Sequence, residues 1–79
     1  MKKILDEDDK LFLDRISENV VKWRKVRGYS QLQLATEMGY SSASYLGRLE
    51  IRKDDQHFHI VQLRKIATIF DIDICEFFK

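Results

Sequence analysis

The stretch Gln31-Leu-Gln-Leu-Ala-Thr-Glu-Met-Gly39 constrains this chain more than any other, lying between Ser30 and a second short segment from Ser42 to Glu50. Ser30 and Gln33 stand three apart, the spacing of a capping box: the hydroxyl takes the Gln33 amide, and the Gln33 side chain returns to the Ser30 amide. Leu34 and Met38 lie one turn apart with Leu32 flanking, and that face seeks a core. Ala35 falls where two helices crossing steeply must come close. Gly39 reaches the left-handed conformation that ends a helix at little steric penalty. The residues therefore predict a short helix, a turn and a second short helix.

The rest of the chain bounds the body that carries this unit. Seventy-nine residues make one domain near the lower end of what folds alone. Hydrophobic residues are 44% of the chain, enough for one small core. Pro is absent and Gly occurs three times, while apolar residues recur at three- and four-residue spacing. The fold class expected is all-α. No apolar run approaches the ~18 residues of a membrane span. Asp6-Glu-Asp-Asp9 interrupts the start, which therefore does not read as a signal peptide. The lone Cys75 has no internal partner for a disulfide, and a reducing cytoplasm is the expected location.

Residues 1–8 are expected to form an N-terminal extension and residues 9–79 the domain. Asp6 to Asp9 offers several helix caps and puts negative charge where a helix dipole favours it. A first helix is predicted from about Asp9 to Val26, with Phe12 or Leu13, Ile16, Val20 and Trp23 as its apolar stripe and Gly28 as its cap. The second covers Gln31 to Met38. The third covers about Ala43 to Glu50, capped by Ser42 or Ser41. Residues 51–58 read as a loop anchored by Phe58. A fourth helix begins near His59 or Ile60 and runs to about Phe70, burying Leu63, Ile66, Ala67 and Phe70. Asp73 and Glu76 suggest another capping box. A fifth helix is expected over Ile74 to Phe78, with Ile72 and Phe77 as a hydrophobic staple.

A short helix, a turn and a second helix make the helix-turn-helix unit, which exists largely to lay its second helix in the DNA major groove. The whole chain resembles the Cro and phage-repressor type of helix-turn-helix regulator, also called the xenobiotic-response-element type. The resemblance covers about Ile16 to Phe78. It rests on Arg24-Lys-Val-Arg-Gly28, Ser30-Gln31, Leu34-Ala35, Gly39, Leu46, Arg48-Leu49-Glu50, Leu63, Ile66-Ala67 and Asp71-Ile-Asp-Ile-Cys-Glu-Phe77, in that order and spacing.

The resemblance implies a five-helix, lambda-repressor-like domain from a bacterial or phage regulator, a repressor among its possible roles. By analogy, Gln31 would donate to a DNA phosphate, and the third helix would lie in the major groove. Its outward positions would be Ala43, Ser44, Gly47 and Arg48. Arg48 is the leading base reader, since a guanidinium can bridge O6 and N7 of guanine, a contact worth roughly 1–3 kcal/mol of discrimination. Ser42 and Ser44 could reach phosphates or base edges, and Ala43 a thymine methyl. Arg52 and Lys53 would grip the backbone. Arg24 and Glu50 match a paired Arg and Glu of related repressors that pins the first helix to the end of the third.

The chain departs from the family pattern in three ways. One extra residue lies between Gly39 and Glu50, Ile51 stands where Gly or Asn is usual, and the reading face is poor in Gln and Asn. Indirect readout of DNA shape would then carry part of the specificity.

Charge is compatible with this reading without demanding it. Formal net charge is +1. Residues 1–14 hold three Lys against five Asp or Glu, leaving −2, and the remainder holds eleven Lys or Arg against eight Asp or Glu, leaving +3. Affinity is expected to come from a local basic rim.

The plainer readings are a solvated Arg48 paired with a carboxylate, Ser42 as a helix cap, Arg52 and Lys53 on a solvated loop, and Gln31 as an ordinary surface residue. Gly47 costs about 1 kcal/mol in a helix interior; close approach of DNA, tight packing or drift would each account for it. His57 and His59, two apart, resemble half of a metal site, but no further ligands stand at suitable spacing, and the pair more naturally borders DNA or caps the fourth helix. Nothing in the sequence calls for a metal, a cofactor or an enzyme's nucleophile–base pair. The function expected is sequence-specific double-stranded DNA binding and transcription regulation as a homodimer, with Ile74, Phe77 and Phe78 as its interface. The alternative is a protein–protein interaction module or antitoxin-like protein of the same fold.

Overall fold

The computed structural model describes residues 5–79, which form four α-helices and two short 3-10 segments, with no strand among them. α1 spans Glu7–Val26, α2 Gln31–Glu37, α3 Ser44–Glu50 and α4 Ile60–Phe70; the 3-10 segments are Lys53–Asp55 and Ile74–Phe78. No helix among the described residues is long and apolar enough to cross a membrane.

α1 begins two residues before its predicted start. The Asp6 carboxylate accepts the Asp9 amide at 2.8 Å, and the Asp9 side chain accepts the Asp6 amide at 3.2 Å. This acidic capping box draws Glu7 and Asp8 into the first turn, where carboxylates complement the helix dipole. The expected N-terminal extension is shortened accordingly, and its residues 1–4 lie outside the described ones. α2 carries the predicted box, with Ser30 and Gln33 reciprocally bonded at 3.0 and 2.7 Å. α4 has a third, in which His59 stands in the place of Ser: its Nδ1 accepts the Gln62 amide at 3.3 Å, and Gln62 Oε1 accepts the His59 amide at 2.9 Å. His59 thus caps α4, one of the two roles the sequence offered it.

Three helices end alike, in a six-to-one closure by a left-handed residue. Gly28 and Gly39 take φ values of +78° and +87° after α1 and α2. Asp71 does the same after α4 at +56°, a conformation Asp tolerates better than most residues. The amides of Tyr29, Tyr40 and Ile72 then reach back to the carbonyls of Arg24, Ala35 and Ala67.

The core gathers Ile16 and Val20 of α1, Leu34 and Ala35 of α2, Leu46 and Leu49 of α3, and Leu63, Ile66 and Phe70 of α4, with Phe58 and Phe77 closing it. Leu32 and Phe12 point outward instead, so Leu13 and Trp23 fill the edges of the α1 stripe.

The C-terminal segment differs most from expectation. Ile74–Phe78 is a 3-10 helix, so the fifth helix expected from the sequence forms over its predicted residues but not as an α-helix. Asp73 caps it through the Cys75 amide at 2.8 Å, while Glu76 turns to Lys79, so no capping box closes. That hydrogen bond holds the Asp73 carboxyl below its ordinary value, and hydrogen bonding with the Asp73 side chain, together with its negative charge, raises the Cys75 thiol. The Asn19 side chain fastens the segment to α1 by donating to the Phe77 and Lys79 carbonyls at 2.9 and 3.0 Å. Phe77 is 0% exposed. It is a core residue and not the interface residue expected. Phe77→Ala should therefore cost roughly 3–5 kcal/mol in chemical denaturation; a cost below about 1 kcal/mol would place the ring outside the core.

Candidate nucleic-acid interface

α3 is only seven residues long, and its C-terminal end is held by other elements. At its C-terminal end the Glu50 carboxylate accepts Arg24 Nε at 2.7 Å, Arg24 Nη2 at 3.2 Å and Gln31 Nε2 at 2.8 Å. Arg24 Nη1 continues to the Tyr29 carbonyl at 2.9 Å. The Arg24 and Glu50 side chains are only 10% and 4% exposed. Buried Ser17 adds a hydroxyl bond to the Leu49 carbonyl at 3.1 Å, satisfying one of the carbonyls a helix end leaves open. The ion pair expected between Arg24 and Glu50 is therefore present, and it ties α1, α2 and α3 at one point.

Gln31 takes a more internal position than expected. One of its amide hydrogens lies on Glu50, leaving the other for an outside acceptor. Gly47 packs beside it: a Cβ there would sit 3.7 Å from Gln31 Oε1 and 3.8 Å from Nε2, ordinary contact distances. Internal packing thus does not require the glycine.

With Leu46 and Leu49 buried, Ser44 and Arg48 are exposed on the outer side of α3, and Ala43 and Gly47 are half-buried beside them. Arg48 makes no ion pair among the described residues; its guanidinium lies 5.7 Å from the centre of the Tyr45 ring. Ser42 is exposed, and its hydroxyl accepts the Ser44 amide at 3.4 Å. Ala43, not Ser42 or Ser41, occupies the N-cap position and gives no side-chain cap. Ser44, Gly47 and Arg48 thus lie on α3, with Ser42 and Ala43 in the turn immediately before it.

Arg52 does not join them. Its side chain is 6% exposed and engaged inward, with Nε on Asp14 at 2.8 Å and Nη1 on the Asp55 carbonyl at 3.1 Å. The backbone grip expected of Arg52 is corrected to an internal hub joining α1 to the loop after α3. That loop needs such a hub, because Arg52, Asp54 and Asp55 all have φ between 55° and 61°. Left-handed residues other than Gly persist only where surroundings over-determine them. Lys53 is exposed beside the hub. Of the expected interface residues, Phe78 is exposed and Ile74 half-buried.

A polar centre built on buried Gln62 and the half-buried Tyr40 and Tyr45 escaped the sequence reading. Gln62 is 4% exposed, and its Nε2 donates to the hydroxyls of both Tyr40 and Tyr45 at 3.1 Å. The two rings meet edge to face at 5.4 Å. The His-x-x-Gln spacing of residues 59–62 was the available signal, since a capping Gln has its amide nitrogen left over for a distant partner. Among the described residues no three His, Cys, Asp or Glu side chains cluster as metal ligands would.

No protein-family model matches the chain, and no curated protein or solved structure matches it significantly.

Removing Arg24 strands a carboxylate that is almost wholly buried. Arg24→Ala should cost about 3–5 kcal/mol, and the double change Arg24→Ala, Glu50→Ala distinctly less than the two single costs together. Additive costs in that cycle would show that the two side chains do not act as a pair.

Proposed function

We propose that this chain is a sequence-specific, double-stranded DNA-binding regulator of transcription, a helix-turn-helix protein of the Cro and phage-repressor type, acting as a homodimer. The observation that carries the reading is the clamp at Glu50. It fixes α3 against α1 and α2 while Ser42, Ser44 and Arg48 remain exposed on the opposite side. Building a buried three-donor site to orient a seven-residue helix is economical only if the free side of that helix has a task. Arg48 would read guanine, Ser42 and Ser44 phosphates or base edges, Ala43 a thymine methyl, and Lys53 the backbone. Gln31 would offer its second amide hydrogen to phosphate. None of this requires a catalytic group, a metal or a cofactor.

Gly47 supports close approach. Ala would fit the free protein and favour the helix by about 1 kcal/mol, yet the chain keeps Gly where a duplex would come nearest. Gly47→Ala should consequently raise the melting temperature and lower DNA affinity. A variant that gains stability and binds as well as the original would remove this support.

Seven residues of α3 span only ~10 Å, too few base pairs for selectivity, so two copies on half-sites one DNA turn apart are needed. With Phe77 in the core, the surface for the second copy is revised to Leu11, Phe12 and Phe78, all exposed. Phe12 and Phe78 stack at 6.3 Å, joining the start of α1 to the C-terminal turn in one apolar patch.

A protein–protein interaction module is the second reading. It is favoured by the near-neutral charge and by Ile51, 75% exposed at the end of α3. Salt separates the two. A DNA binder loses affinity steeply as salt rises, Lys53→Ala lowers that slope by about 1 on every sequence, and Arg48→Ala relaxes base preference by roughly 1–3 kcal/mol. Absence of duplex binding at low salt would favour the interaction module. Light scattering that finds a monomer at high micromolar concentration would overturn the dimer.

A further inference from the structure

We infer that the hydroxyls of Tyr40 and Tyr45 form a clamp for one phosphodiester group, held in place from behind by Gln62; as a DNA contact the clamp rests on the reading above. The hydrogen-bond direction is fixed by the chemistry of the amide. Gln62 Oε1 receives the backbone N–H of His59 at 2.9 Å, so this end of the side chain must be the oxygen. Nε2 is then the end that meets the tyrosines, and it donates one hydrogen to each hydroxyl, at 3.1 Å in both cases. Both tyrosine oxygens accept, and each keeps its own proton to give. Among the described residues neither proton has a protein acceptor, although the Gln62 amide behind them is fully used.

Two hydroxyls bound to the same nitrogen lie at most twice that distance apart. A phosphate group bridges such a gap by taking one donor on each of two oxygens. The rings are fixed edge to face, so the donors are set before any ligand arrives. Tyr40 lies in the connection before α3. Tyr45 lies on α3 with Arg48, whose guanidinium stands 5.7 Å from the centre of the Tyr45 ring and adds positive charge near the pair. An anion is the ligand such a pair suits, and a duplex entering along α3 would present one there. Because the donors are neutral, the clamp would position DNA without adding to counterion release.

Two measurements test this. Tyr40→Phe and Tyr45→Phe keep both rings and remove one donor each. Each should weaken binding about tenfold on every duplex sequence, the cost of one hydrogen bond to a charged group, with base preference and salt slope unchanged. Variants that bind as the original does, or that alter base preference, would overturn the assignment. The second measurement uses the unmodified chain, with dimethyl phosphate as probe and the tyrosine ring resonances as readout. The rings of Tyr40 and Tyr45 should shift together while Tyr29 stays. Shifts at neither ring would refute the clamp even if the chain binds DNA. Shifts at both in a chain that binds no duplex would uphold the anion clamp and refute the DNA reading alone.

Discussion

Glu50 carries a negative charge to a place where its side chain is 4% exposed, and the carboxylate persists there through three donated hydrogen bonds from Arg24 and Gln31. A buried ion pair is a weak source of stability, because desolvation offsets most of the attraction. Its value here is directional. The bidentate guanidinium fixes the angle between α1 and the end of α3, and the Gln31 amide adds the start of α2. Three helices thus meet at one carboxylate. The hydrophobic contacts of Leu46 and Leu49 hold α3 to the body without specifying direction, which the geometry of the charged clamp supplies.

The same division recurs elsewhere in the molecule. Apolar burial supplies cohesion, and single polar side chains from distant positions set the geometry. Ser17 closes the carbonyl end of α3, Arg27 caps α4 through the Phe70 carbonyl at 2.7 Å, and Asn19 fastens the C-terminal turn. Arg52 fixes the loop after α3, where three left-handed residues would otherwise be hard to maintain. All four attach to or arise from α1 or its cap. α1 therefore acts as the frame on which the short helices are oriented, which explains why helices of seven residues are stable here although they would be marginal alone.

Features determined by neighbours in sequence were legible without coordinates. The Ser30–Gln33 box, the glycine closures at 28 and 39 and the α4 stripe depend on spacings of three or four residues, and they fall where the residues predict. The Arg24–Glu50 pair came from family resemblance, not from local spacing. Arg52 could not be read in this way. Its inward turn depends on Asp14, thirty-eight residues earlier, and on an unusual backbone at Asp54 and Asp55. Phe77 and Phe78 are adjacent and alike in sequence, and the docking of the terminus on Asn19 accompanies burial of Phe77 and exposure of Phe78. The Gln62 centre was hidden for the same reason, since its partners Tyr40 and Tyr45 come from other elements.

The claim that the outer side of α3 is a nucleic-acid surface is tested most directly by mapping backbone amide shifts on titration with a duplex selected from a random pool. The expected result is a contiguous set of large shifts at Ser42, Ser44, Gly47 and Arg48, extending to Lys53, with the amides of the buried α4 face unmoved. A selection that enriches no duplex, or shifts confined to other faces of the molecule, would contradict it.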